Sequence, residues 1–330
     1  MAGVSIETVG LVFIALIFGF YNGLVSASSL VAIIISTRAM QPRSALWMAA
    51  IGVGIGPLLF GVAVATTIGR DVVRIDLVSS AIVYAAILAA IAWNIFTLTF
   101  GIPSSSSHAL VGGIIGAVWA GIGLEAIQLS GLLTVVLALL LSPLLGIITG
   151  MLMLNVTYWA TKNATPRINS WFRRGEILSG AALALAHGTN DAQKTMGVIV
   201  LGLVVTGEIK TFAVPTWVIL ASASVMAAGT LLGGWSLIRT LGNKFYRIRP
   251  VHGFSAQMGS SMVILVAALL GGPASTTHVV STAIVGAGAA DRVQMVRWGV
   301  LSNIVLSWVL TIPATAIISA LIYACITLVT

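Results

Sequence analysis

Pro103-Ser104-Ser105-Ser106-Ser107-His108 runs on into Ala109-Leu110-Val111-Gly112-Gly113-Ile114-Ile115-Gly116. It returns as Pro273-Ala274-Ser275-Thr276-Thr277-His278, ahead of an apolar stretch in which Gly286 answers Gly116. A second pair lies upstream of these: Asn22-Gly23-Leu24-Val25-Ser26-Ala27 and His187-Gly188-Thr189-Asn190-Asp191-Ala192. The offsets, about 170 and about 165 residues, agree with each other and are half of the 330-residue chain, as an internal duplication requires. Matching polar breaks in two halves of an apolar chain point to a ligand site between the halves.

The chain is indeed apolar. Hydrophobic residues make up 58% of it and charged residues 7%, with a mean hydropathy of +1.10. A soluble domain carries about 25% charge, so the solvent here is lipid. The long Leu, Ile, Val and Gly runs lack the alternation of a β-barrel, and the fold class they predict is an all-α polytopic membrane protein. The net charge of +8 does not indicate nucleic acid, because the basic residues sit in short loops between apolar runs and read as topology signals. The one cysteine, Cys325, excludes a disulfide framework. No Lys or Arg precedes Arg38 and Glu7 lies near the start, so the first segment reads as a retained span rather than a cleaved leader.

Apolar segments fall at 8–36, 44–69, 77–100, 109–124 and 129–160, then at 178–206, 214–240, 254–271, 279–290 and 296–328. Segments 109–124 and 279–290 fall short of the ~20 residues a helix needs to span the bilayer. Each follows a Pro-Ser/Thr break, so each is expected to turn back as a re-entrant hairpin. Segments 8–36 and 178–206 are expected to be spans broken near Asn22-Gly23 and His187-Gly188. Three net crossings per half then make an inverted-topology repeat: residues 1–160, a basic cytoplasmic connector at 161–177, and residues 178–330. Charge agrees. One face takes Arg38, Arg43, Lys162, Arg167, Arg173, Arg174, Arg239, Lys244, Arg247, Arg249, Arg292 and Arg297, and the other only Arg70, Arg74 and Lys210. By the positive-inside rule, the protein sits in the cell membrane as a multi-pass protein with both termini extracytoplasmic.

In each Ser/Thr loop, Pro halts the incoming helix and a hydroxyl caps the next one, whose free N–H groups and positive dipole end suit an anion. Ser105, Ser106, Ser107, Ser275, Thr276 and Thr277 add neutral donors to such an anion, and Asn22 is their upstream partner. Interhelical hydrogen bonding is the alternative use of such hydroxyls. His108 and His278 read as supporting groups or as structural bonds to nearby carbonyls. Asp191, placed deep in the membrane, with Asn190, Thr189 and Ser26 offers oxygen ligands to a hard cation such as Na+. Lys194 lies one turn on, and an internal ion pair with Asp191 is the competing reading.

These motifs bring out a resemblance over essentially the full length. Phe20-Tyr21-Asn22-Gly23 with Ser36-Thr37-Arg38, Trp93-Asn94 before the first Ser loop, His187 to Gly197, His252-Gly253-Phe254-Ser255-Ala256 and the second Ser/Thr loop are similar to the inorganic phosphate transporters of the PiT type. The resemblance implies an inverted-repeat symporter, a homodimer, that imports phosphate with Na+ or H+ as coupling ion and needs no cofactor. It also implies that the Ser/Thr loops contact phosphate and that the acidic motifs bind the cation. The chain departs from the family at Ser26 and Ser29, where Asp and Asn are usual, and at Gln257, where Glu is usual, so fewer cation sites are expected. Two other readings stay open: a permease for sulfate or another tetrahedral oxyanion, and a non-transporting receptor derived from a carrier. An enzyme is not expected, because nothing assembles a nucleophile, a base and an oxyanion hole.

Overall fold

The computed structural model describes residues 5–165, 167–238 and 248–329. Pro166 of the connector and Arg239, Lys244 and Arg247 of the basic face lie outside them. The order of helices is α1 (Ile6–Ser36), α2 (Pro42–Leu59), α3 (Ala63–Thr66, continued by a π turn to Asp71), α4 (Ser80–Phe100), α5 (Ser106–Gly121), α6 (Leu129–Ala160), α7 (Ile168–Val205), α8 (Thr216–Leu232), α9 (Pro250–Leu269), α10 (Thr276–Asp291) and α11 (Trp298–Val329). Among the described residues, five helices are long and apolar enough to cross a membrane, or six if the bent pair α2 and α3 forms one span. Leu133, Leu137, Leu140, Leu144 and Ile148 of α6 recur at helical spacing and are all exposed, as side chains that face lipid should be.

Local chemistry sets the boundaries. Ser5 Oγ accepts from Thr8 N at 3.1 Å and caps α1; proline starts α2 and α9; Gly101, at φ +64°, ends α4 in the left-handed region. The expected interruptions at Asn22-Gly23 and His187-Gly188 are corrected: α1 and α7 are continuous, about 46 and 57 Å long at 1.5 Å per residue. Gly23 serves packing rather than a break, since a Cβ there would run into the Met226 carbonyl oxygen of α8. The bend falls instead at the expected second span, where α2 and α3 meet at 77°. From α7, Gln193 Oε1 accepts from Val64 N (2.7 Å) and Ala65 N (3.2 Å), supplying the N-terminus of α3 with the acceptor its chain lacks. The second half of the connector, from Ile168, is already the start of α7.

The two short helices form hairpins. Residues flanking α4 and α5 bond across the base of the first: Arg74 N to Ala126 O (2.8 Å) and Gln128 N to Val72 O (2.9 Å). The base of the second is closed by Arg249 Nη2 to Asp291 Oδ2 (2.7 Å), with Tyr158 OH donating to Asp291 Oδ1 (2.9 Å). Burial works against the charge on Asp291, but Tyr158, Arg249 and His252 outweigh it and hold its pKa below the usual carboxylate value. α1 begins beside the first base, where Tyr84 OH donates to the Glu7 carbonyl (2.7 Å), and it ends near the second, where Thr37 meets Glu176 (2.9 Å). α7 runs the other way, its far end returning to Thr8 through Glu208. The hairpins are therefore rooted at opposite ends of the molecule.

The halves also interlock. α5 packs along α11 and α10 along α6, so the short helix of each half lies on the last helix of the other. Gly116 and Gly286 make this possible: a Cβ on the first would strike the Ala316 carbonyl oxygen, and on the second that of Ile147.

Candidate functional site

The tips of the two hairpins meet in the interior. Ser105 and Ser275 are the N-cap residues of α5 and α10, and Ser275 Oγ donates to Ser105 Oγ at 2.8 Å. Two helix N-termini thus point at one junction. Ser105 Oγ also accepts from His108 N (3.3 Å), Ser107 Oγ donates to the Ala274 carbonyl (3.3 Å), and Ser275 N donates to Ser142 Oγ of α6 (3.1 Å). The rings of His108 and His278 lie 4.6 Å apart. Ser106 and Thr277 are buried beside them, and none of the candidate binding side chains is more than 7% exposed.

Asp191 sits directly beneath this junction. Its Oδ2 accepts from Ser26 Oγ (3.2 Å) and Thr276 Oγ1 (3.1 Å) and lies 3.1 Å from His187 Nε2, while Oδ1 takes the Lys194 ammonium at 2.5 Å. Lys194 Nζ reaches on to the Ala274 carbonyl (3.3 Å), Asn22 Nδ2 donates to the Asp191 carbonyl (3.4 Å), and Asn190 Nδ2 donates to the Gly272 carbonyl (3.1 Å). α7 therefore ties the second loop to α1. The internal ion pair weighed in the sequence against a cation at Asp191 is present, with Lys194 Nζ on Asp191 Oδ1. No group of three or more His, Cys, Asp or Glu side chains able to hold a metal occurs among the described residues.

The electrostatics follow. Each helix N-terminus presents roughly half a positive charge. With Lys194 these outweigh the carboxylate of Asp191, leaving about one positive charge at a buried, donor-rich junction. Asn190 Oδ1, His108 Nδ1 and His278 Nε2 are buried there without a hydrogen-bond partner among the described residues. Buried polar atoms are normally satisfied, so the junction has hydrogen-bonding capacity left for a guest, including acceptors for a proton the guest carries.

Gln257 does not join this group. Its Oε1 accepts from Ser179 Oγ (2.7 Å), about 18 Å along α7 from Asp191. Ser29 turns its hydroxyl back to the Ser26 carbonyl (2.8 Å). Other contributors went unassigned in the sequence. Trp308 stacks on His278 at 3.8 Å and donates to the Pro103 carbonyl (3.2 Å), and Ser104 Oγ accepts from Trp93 Nε1 (2.9 Å). Ser142 and Trp308 sit in unbroken apolar runs, where nothing in the local pattern separates them from lipid-facing neighbours. Glu176, at 0% exposure, joins Asp191 as a second buried carboxylate and lies inside what reads as a basic connector.

A helical membrane protein that brings the donor-rich tips of two hairpins together in its interior has the architecture of a transporter. Residues 22–319 match the phosphate transporter family, and the chain belongs to that family. It is 44% identical to a protein of Rhizobium meliloti (strain 1021) named "Probable low-affinity inorganic phosphate transporter", over 96% of this chain and 95% of that one. A protein of the same name from Bacillus subtilis (strain 168) is 40% identical over 96% of each chain. A solved structure described as "The sodium-dependent phosphate transporter" superposes with a TM-score of 0.91 over 99% of this chain and 100% of the other. Its 23% identity makes that a likeness of fold.

Proposed function

We propose that this protein is a secondary carrier that moves inorganic phosphate across the cell membrane together with a coupling cation. The observation that carries the reading is the contact between Ser105 and Ser275, because it joins two helix N-termini beside Lys194. Phosphate, unlike sulfate, still bears a proton in its doubly charged form. The unpartnered His108 Nδ1 and Asn190 Oδ1 suit that proton, whereas sulfate would leave them unsatisfied. Ser105, Ser106, Ser107, Ser275, Thr276 and Thr277 hold the oxygens in this reading, with Asn22 and Lys194 behind them.

The two halves, 1–160 and 178–330, act as inverted repeats that rock against each other. The roots of the hairpins at opposite ends support that description. The basic end, with Arg38, Arg173 and Arg249, faces the cytoplasm, which puts both termini outside. At Asp191 the fixed ammonium of Lys194 replaces the coupling cation, with Ser26 bonded to the carboxylate, so the ion that drives transport binds elsewhere. The homodimer belongs to the same reading, and mass measurement in lipid nanodiscs tests it.

Uptake of phosphate into proteoliposomes, in competition with sulfate and arsenate, is the test. Saturable uptake blocked by arsenate and not by sulfate supports the proposal. Sulfate uptake at equal affinity would replace phosphate with a general oxyanion, and phosphate binding without uptake would favour a receptor.

A further inference from the structure

Glu176 of α7 is fully buried, and among the described residues no cationic nitrogen lies within 4.0 Å of it. A buried carboxylate without a partner is expensive; such groups are paired or they are neutral. Its contacts say which. Thr37 Oγ1 lies 2.9 Å from Glu176 Oε1 and 3.0 Å from Oε2, and also 3.1 Å from the Ile33 carbonyl and 3.3 Å from that of Ile34. Four acceptors therefore crowd one hydroxyl, which has a single proton to give. A proton on Glu176 resolves the conflict: the acid donates to Thr37 Oγ1, and Thr37 donates on to the Ile33 carbonyl. The position at the C-terminal, negative end of α1 favours the same neutral form. Space for the carboxyl comes from Gly253 of α9, where a Cβ would lie 2.9 Å from Glu176 Cδ, its own N–H being taken by the Arg249 carbonyl (3.0 Å).

The other half shows that the fold does not need this group. The offset of 165 residues that relates Ser26 to Asp191 also relates Leu11 to Glu176 and Thr37 to Gly202, and Leu11 packs on Gly202. The offset of 170 that relates Ser105 to Ser275 relates Ile87, fully buried, to Gln257. At one end the equivalent contacts are apolar; at the other they are Glu176 with Thr37 and Ser179 with Gln257. A carboxyl present on one side only of a two-fold scaffold serves that side.

We infer that Glu176 is a proton-carrying site of the transport cycle, loaded when α1 and α7 are closed and emptied toward the basic face when they part. The step is a simple proton transfer: as Thr37 withdraws, the carboxyl O–H bond breaks and water on that face takes the proton. The charged groups around it are few. Arg173 lies one turn earlier on α7, Arg38 follows Thr37 on the exposed end of α1, Arg43 is exposed at the start of α2, and His252 on α9 faces Asp291 and Arg249. The inference rests on the phosphate-carrier reading.

The test compares the parent with Glu176→Gln in proteoliposomes under an imposed pH gradient, acid outside, and separately in phosphate–phosphate exchange at equal pH. The expected result is that E176Q loses gradient-driven accumulation while exchange remains measurable. Accumulation by E176Q equal to the parent's overturns the inference. A parent that carries phosphate but answers only to sodium also overturns it and leaves the phosphate reading intact. A parent that carries no phosphate at all sinks the underlying reading instead. Should E176Q fail to fold, Thr37→Val takes its place, and infrared difference spectroscopy of the parent decides directly. A protonated-carboxyl C=O band that disappears at alkaline pH is expected, and its absence under all conditions overturns the proposal.

Discussion

Ser26 and Asp191 stand at equivalent places in the two halves, 165 residues apart in sequence, and they touch: Ser26 Oγ donates to Asp191 Oδ2 at 3.2 Å. Ser105 and Ser275, 170 residues apart, do the same at 2.8 Å, and His108 and His278 face each other at 4.6 Å. In the inverted-repeat reading proposed above, residues that meet in this way lie on the axis that exchanges the halves, which would run through the buried junction. What breaks the symmetry there is chemistry: a hydroxyl at 26 against a carboxylate at 191.

Restoring symmetry at that place should restore an ion site. In Ser26→Asp a second carboxylate would lie against Asp191, and two acids at that range cannot both stay charged without a cation. We expect S26D to gain a sodium or proton dependence of phosphate uptake that the parent lacks at this position, read as initial rates against each ion. Unchanged ion dependence would count against the role given to Lys194.

The Asp191–Lys194 pair is buried, so removing either partner strands a charge. Asp191→Asn and Lys194→Gln should each cost about 3–5 kcal/mol. The double variant should cost clearly less than the sum, the mark of direct coupling. Thermal unfolding of the purified proteins checks this.

Gly116 and Gly286 are predicted to be interchangeable in cost. Even alanine at either would push a methyl group onto a carbonyl oxygen of the facing helix, so each variant should lose about 1–3 kcal/mol. Markedly unequal losses would mean that the two interlocking contacts do not bear equal strain.

Asp291 offers a pH test at the base of the second hairpin, outside the spans. Its pKa is depressed in the folded protein from an ordinary value of 3.8. The stability it contributes is thus complete above 3.8 and drains away as pH falls through the lower, folded value. The unfolding temperature of the parent should drop more steeply in that acid range than that of Asp291→Asn, and parallel curves would contradict the assignment.

Much of this was legible in the sequence because it depends on residue type at a fixed offset. The Pro-Ser/Thr-His loops announced two short helices with capped starts, and the structure has α5 beginning at Ser106 and α10 at Thr276; Ser105 caps the first, whereas Ser275 turns its hydroxyl to Ser105 and leaves the second without a side-chain cap. Asn22-Gly23 misled because polar and small residues have two uses in a lipid-embedded helix. There they serve close packing and a hydrogen bond to the Asp191 backbone, and α1 runs through unbroken. The bend between α2 and α3 was hidden for the opposite reason. The acceptor that supports it, Gln193, comes from another helix 129 residues away. Glu176 is hidden in the sequence among basic neighbours that suggest a solvated connector, and the packing of α1 and α9 buries it.

The central claim is that both hairpin tips hold one anion between them. A structure determined with saturating phosphate tests it most directly. The account predicts density for a tetrahedral anion bonded to Ser105–Ser107 from one side and to Ser275–Thr277 from the other. Anion density bound to a single loop, or lodged away from both, would contradict it.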